Sequence, residues 1–326
     1  LQGASPPEEL VTRAAEFGYE ALAITDLATL TGIVRAHGAA KQAGIKLIVG
    51  AQLELADAAS LVVWAADAKG YANLCHLLTH GYAQAAEKPV DHDRRAPHDA
   101  ASADHGKPRL FHRSAKWKKA RAGFFHGQSD LDHDDDIPTH SAGACFLTRD
   151  DVARHAQGLL AGVPLAAIDH DRPGGDDQLR EATHKLRHWH EIFGDRLWAL
   201  AEVALEGDDA ERLAWFGRVA RQARVPVAAA GDVRYHARSR MPLFDVVTAV
   251  RHRSTVDTIR GRLLANGERH LHKIQRIAKR FAALPGAVER SAEIAARCTF
   301  SLDELKYEYP LATVPPGRTA AEHLAD

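Results

Sequence analysis

Two aspartates stand where an α/β protein keeps its chemistry. Asp26 follows the apolar run Ala21–Thr25, and Asp232 follows Val227–Gly231. In a barrel of parallel strands the reactive side chains lie at the carboxyl ends of the strands, so these two carboxylates are positioned as metal ligands would be. Each also suits a plainer role, accepting backbone N–H groups as a cap of the loop or helix that follows. Both readings stand on the residues alone.

Other candidates carry weaker patterns. Between about Glu87 and Thr139 the acidic and histidine residues crowd together, among them Asp91-His92-Asp93, His98, His105, His112, His126 and Asp132-His133-Asp134-Asp135-Asp136. Imidazole and carboxylate are ordinary ligands, but no fixed spacing such as HxH or HExxH orders this stretch, which reads as a solvated polar insert. Two aromatic and basic patches within it, Phe111–Lys119 and Arg121–His126, have the chemistry to touch a nucleic-acid backbone. His184 and His188 are i,i+4 neighbours in a helical run with no acidic residue spaced to complete a metal site, so they read as surface histidines. His270 reads as a hydrogen-bonded or packing residue. Arg251, Arg253, Arg260, Arg262 and Arg269 make a basic stretch that suits either phosphates or a solvated face. No residue is assigned a catalytic role, and a nucleic-acid-binding set is not defined.

The elements that must hold these residues are legible from periodicity. A helix is expected from Pro6-Pro7-Glu8-Glu9, capped by Ser5 and stopped at Gly18. Ala21–Thr25 reads as a strand, Ile33–Ala43 as a helix ending at Gly44, and Lys46–Gly50 as the next buried strand. Leu61–Ala65 and the helix Gly70–Ala85 continue a β-α alternation that calls for a parallel sheet wrapped by helices. After the insert, Thr148 suits a helix cap, Gln178–Phe193 is helical, and Leu197–Val203 and Val225–Ala230 are strands around the helix Ala210–Arg224. Glu289, Ala292, Ile294 and Ala296 fit an amphipathic packing helix. The expected organisation is a first barrel part over 1–86, a polar insert or loop over 87–140, a second barrel part over 141–250 and a helical extension over 251–326.

Composition bounds the function classes. The chain has 326 residues, 45% hydrophobic and 26% charged, enough for one large core or two modest ones. Its 42 Lys+Arg against 43 Asp+Glu give a formal charge of -1, so no overall positive field points to nucleic acid. Cys75, Cys145 and Cys298 form no CxxC pair, which fits neither a disulfide framework nor a thiolate zinc site and suits a reducing cytosol. No apolar run is long enough for a membrane span and no secretory signal opens the chain. A cytoplasmic protein without membrane partners is expected, and the start at Leu1, running straight into a helix, suggests further sequence upstream.

Four stretches taken together, Ala21–His37, Ala229–His236, Asn266–Leu271 and Phe300–Pro310, resemble the N-terminal PHP-type portion of bacterial error-prone DNA polymerases of the DnaE kind, and Leu47–Gly50 agrees. The last two stretches are similar to the error-prone branch more than to the main replicative one. The resemblance implies a PHP-type distorted (β/α)7 barrel with a polar insert and a helical C-terminal extension. It implies a parent enzyme that copies DNA past lesions in damage-induced mutagenesis, using Mg²⁺, template-primer DNA and deoxynucleotides, with other mutagenesis proteins and the sliding clamp as partners. The polymerase aspartates of that family belong to a palm domain beyond Phe300–Pro310, so this piece is expected to be a scaffold without the polymerase site.

The resemblance also implies a separate PHP metal cluster, and this sequence departs from it. Leu27 stands where a His follows the first Asp, Gln52 where a Glu is expected, and Arg234 at the late His position, while the HxH region would precede Leu1. Asp26 and Asp232 remain as vestigial ligand positions, and no confident metal ligand is assigned. The alternative of a metal-dependent PHP phosphoesterase is opposed by those three positions. A degraded remnant is the third option.

Overall fold

The computed structural model describes residues 3–87, 145–168 and 175–305. The expected insert at 87–140, apart from Glu87, and the 306–310 part of the last family stretch lie outside the described residues. Those described up to Ala85 and from Cys145 onward belong to one compact unit.

Ten helices and six strands follow one another in the described residues: α1 (Pro7–Glu16), β1 (Ala21–Ile24), α2 (Ile33–Ala43), β2 (Lys46–Leu53), β3 (Leu61–Ala65), α3 (Ala68–Glu87), α4 (Arg149–His155), β4 (Leu159–Pro164), α5 (Leu165–Ile168), α6 (Asp176–Phe193), β5 (Leu197–Glu202), α7 (Asp209–Ala223), β6 (Val227–Ala230), α8 (Met241–Arg251), α9 (Ile274–Arg280) and α10 (Ala287–Arg297). The strands form one sheet in sequential order, β1 to β6. This is the α/β architecture expected of the PHP type.

The direction of β3 corrects a detail. β1–β2, β4–β5 and β5–β6 are parallel, but β3 runs antiparallel to both β2 and β4. A parallel return needs a crossover of a dozen or more residues, and the 54–60 connection is too short for one. The strand β4 escaped periodicity because Gly162 and Pro164 read as breakers. Gly162 is required there: a Cβ would lie 2.6 Å from Leu200 Cδ1 and 2.7 Å from Trp64 Cη2.

Both faces of the sheet are covered, and the side-chain period of two explains how. Val63, Ala161, Leu197, Ala199 and Ala201 face a core shared with Leu74, Leu77, Trp189 and Trp215 of the flanking helices. Val62, Trp64, Leu160, Trp198 and Leu200 face the opposite core, closed by Ile294 and Cys298. Fully burying such large apolar side chains stabilises by roughly 1.5–3 kcal/mol each. A third cluster joins Val11 of α1, Ile33 of α2, Val49 of β2 and Phe300.

The helix ends follow local chemistry with one exception. Gly44 stops α2 with φ +67. Thr148 caps α4 in a reciprocal box with Asp151. Ser5 does not cap α1; Pro6 holds that position, and the Ser5 hydroxyl instead bonds His236 Nδ1 at 2.8 Å and accepts the His236 N–H at 3.0 Å. That contact pins the amino-terminal segment to the loop after β6, as does Ala4 N–H to Arg234 O at 2.8 Å.

Candidate functional site

The carboxyl ends of β1, β2 and β6 carry Asp26, Leu27, Gln52, Asp232 and Arg234, singled out above, and the end of β5 and the loop after it add Glu202 and Glu206. Past Ile24 the first strand continues in a parallel bridge between Leu27 and Gln52. Ala28 N–H donates to Gln52 O at 2.8 Å and Gln52 N–H to Asp26 O at 3.1 Å. Among the described residues the Asp26 carboxylate has no hydrogen-bond or ion-pair partner; it is solvent-accessible, and partial desolvation raises its pKa. One carboxylate oxygen lies against Gly32, where an added Cβ would come within 3.1 Å. Among the described residues Asp26 caps no backbone N–H.

Asp232 has a different setting. Its backbone is left-handed, with φ +38, directly after Gly231. Arg234 Nη2 lies 2.7 Å from Asp232 Oδ1, and Arg269 Nη1 bonds the other oxygen, Oδ2. Arg269 also reaches Glu206 Oε1 at 3.6 Å, and Arg212 Nη1 stands 3.9 Å from Glu206 Oε2. Glu202, the last residue of β5, is raised to about 7 first by burial and then by Asp232, against the opposing pull of Arg269, Arg234 and Arg212. Burial works against the charged form of Arg269, but Asp232, Glu202 and Glu206 outweigh it and keep the guanidinium firmly protonated. Asp232 and Glu206 therefore face three guanidiniums, Arg212, Arg234 and Arg269.

The segment that delivers Arg269 is the family stretch Asn266–Leu271, and the structure explains its composition. Asn266 Nδ2 donates to Ala204 O at 2.8 Å and Leu205 O at 2.9 Å, fastening the segment to the loop after β5. Arg269 O accepts Arg234 N–H at 2.9 Å, and Tyr235 pairs with His270 in a parallel bridge, fastening it to the loop after β6. Leu271 is buried in the core beside α1 and α2. The segment is a strap across the ends of β5 and β6.

The strap also holds Glu268, His270 and His272, whose ligand atoms lie within 4.8 Å of one another and could hold a metal ion. The HxH spacing of His270 and His272 is visible in the sequence, outside the histidine-rich stretch between Glu87 and Thr139. His270 Nδ1 bonds Leu271 O at 2.7 Å and His272 Nε2 bonds Glu268 O at 3.0 Å, which fixes the ring orientations as outer contacts of metal ligands do. Burial lowers both pKa values, His272 to about 4. The carboxylate, however, is shared among Arg276 at 2.9 Å, Arg280 at 2.5 Å and Arg238 at 3.3 Å. Guanidinium has already taken the anionic ligand.

The donors at the strand ends, Leu27 and Gln52 beside Asp26 and Arg234 and Arg269 beside Asp232, likewise do not suit the metal cluster that the resemblance implies. Leu27 offers no lone pair, Gln52 no charge, and Arg234 and Arg269 repel a cation, by about 4 kcal/mol per pair of unit charges ~4 Å apart at an effective dielectric near 20. Among the described residues neither Asp26 nor Asp232 acts as a cap. On α6, His184 and His188 lie against one another with ring centroids 4.0 Å apart and planes tilted by 57°. The candidate ligands His98, His105, His112 and His126 lie outside the described residues.

Comparison with known proteins sets this geometry in context. The family model of the PHP domain matches residues 1–200. An error-prone DNA polymerase of Rhodopirellula baltica is 35% identical over 99% of the chain and 24% of its own length. One of Methylococcus capsulatus is 35% identical over 100% of the chain and 25% of its own length. The chain thus spans about a quarter of the length of the curated relatives it matches. A solved amidohydrolase structure from Chromobacterium violaceum, with bound sulfate and no metal, is similar at TM-score 0.36 and 16% identity over 70% of this chain and 81% of its own.

Proposed function

This chain belongs to the PHP domain family, and we propose that it is the amino-terminal scaffold of an error-prone DNA polymerase acting in damage-induced translesion synthesis. The observation that carries the reading is the match along nearly the whole chain to a quarter of each polymerase, at 35% identity. In this reading nucleotidyl transfer, with Mg²⁺, template-primer DNA and deoxynucleotides, belongs to a palm domain elsewhere in the parent. The sliding clamp and other mutagenesis proteins are its partners, and the cytoplasm is its place. The described helices include none long and apolar enough to cross a membrane.

Within the parent, the residues at the ends of β5 and β6 act by holding shape. Arg269 and Arg234 neutralise Asp232, Asn266 holds the loop after β5, and Glu268 gathers three guanidiniums from the loop after β6 and from α9. The alternative, a metal-dependent phosphoesterase, would need a cation among those guanidiniums, and the chemistry of Leu27, Gln52 and Arg234 opposes it. Such a donor set supports no metal-assisted hydrolytic step.

Primer extension by the product of the complete reading frame that contains this chain is the test. Extension that requires Mg²⁺ and deoxynucleotides, and that survives Asp26→Ala, is expected. A reading frame with no polymerase region, whose product hydrolyses a phosphodiester, would overturn the proposal.

A further inference from the structure

The Asp232 carboxylate has one oxygen on Arg234 and the other on Arg269, so both of its faces are committed to guanidinium. The two arginines are not equivalent. Arg234 lies two residues from Asp232 and is the substitution visible in the family pattern. Arg269 comes from a strap 37 positions on, is the more buried of the two, and reaches a second carboxylate, Glu206. From this geometry we infer that Arg269 is a resident counter-charge that stands in for a divalent cation between Glu206 and Asp232, making the carboxyl end of the sheet at β5 and β6 independent of metal and closed to it.

Three features of the strap support the assignment. It is anchored on both sides of the carboxylates, by Asn266 to the loop after β5 and by Arg269 O to the loop after β6, so the guanidinium is delivered rigidly. The loop that carries Glu206 is itself ordered by Asp209, whose carboxylate accepts the N–H groups of Ala204, Leu205 and Glu206 at 3.0, 3.2 and 3.0 Å. The carboxylates of Asp232 and Glu206 already have Arg212, Arg234 and Arg269 as counter-charges. A divalent cation entering there would leave guanidiniums without their partners, whereas removal of Arg269 alone would free one oxygen of Asp232 and one of Glu206 on a preformed frame.

The inference rests on these ion pairs and not on the polymerase assignment, so it fails or stands separately. Mn²⁺ binding to the 326-residue chain is measured by calorimetry and thermal melting for the wild type, Arg269→Gln, Arg269→Lys and Asp232→Asn/Arg269→Gln. The expected pattern is no response in the wild type or in Arg269→Lys. Arg269→Gln should melt lower without metal, bind Mn²⁺ tenfold or more tightly than the wild type, an order-of-magnitude expectation, and regain melting temperature with it. The double variant should lose that response. Should Arg269→Gln be recovered only as aggregate, its refolding yield with and without Mn²⁺ reads the same quantity, a rise supporting the inference and equal yields overturning it. Equal Mn²⁺ binding by the wild type and Arg269→Gln, or a response that persists without Asp232, would also overturn it.

Discussion

Leu27 and Gln52 are joined by a parallel backbone bridge at the ends of the first two strands, so the two positions at which the family resemblance calls for a His and a Glu stand side by side. Their neighbourhood keeps the strand-end geometry while lacking the donor chemistry. Substituting Leu27→His and Gln52→Glu together supplies an imidazole and a carboxylate there. With Arg269 still on Asp232, calorimetry with Mn²⁺ is expected to detect no binding to this double variant, and a saturable binding isotherm would contradict the role given to the arginines.

Replacing Arg269 by Ala leaves Asp232 with Arg234 alone and strips Glu206 of one partner. Because these groups are half-buried, the cost is expected at about 2 kcal/mol, below the 3–5 kcal/mol typical of a broken fully buried pair. Urea unfolding should show a lower midpoint with an unchanged slope. Asp232→Asn in the same background should recover part of the loss, since it removes the carboxylate left in excess.

Acid sensitivity has a local source in His272. Burial holds this imidazole neutral, with its pKa lowered from 6.5 to about 4, while it bonds Glu268 O and faces Glu268, His270, Arg276 and Arg280. A folded pKa below the unfolded one means full stability above pH 6.5, progressive loss as pH falls toward 4, and no further loss from this group below that. Two to three pKa units correspond to about 3 kcal/mol across the window. His272→Asn is expected to flatten the pH dependence of the melting temperature between those limits; a profile unchanged from the wild type would refute the assignment.

Asp151 works with the opposite charge state. Burial pushes against its ionisation, but hydrogen bonds from Thr148, Gln84 and Arg154 win and hold the carboxyl well below the usual carboxylate range. Its contribution is therefore present at neutral pH and lost as pH falls below about 4. Asp151→Ala removes the capping box of α4 and should cost about 2 kcal/mol at pH 7, more than a simple cap, because Thr148 N–H and Gln84 lose a partner as well.

What the sequence made legible was local. Gly44 and the Thr148 box are punctuation read within a few residues, and strand ends at Asp26 and Asp232 follow from apolar runs. The direction of β3 and the existence of β4 depend on partners far along the chain, and Gly162 and Pro164 hid β4 until Leu200 and Trp64 explained the glycine. Arg234 was visible as a departure from the family pattern. Arg269 was not, since its function is defined by a contact 37 residues away. His270 is hydrogen-bonded, to Leu271 O, and its HxH spacing with His272 lies in the sequence, but the three guanidiniums gathered on Glu268 come from residues up to 30 positions away and show only in the fold.

On the proposed reading, this PHP domain supports a polymerase while performing no metal-dependent hydrolysis itself. Hydrolysis of a chromogenic phosphodiester by the purified chain in Mn²⁺ tests it most directly. The predicted result is a rate indistinguishable from that of Asp26→Ala and Asp232→Ala variants. Mn²⁺-dependent turnover abolished by either substitution would contradict it.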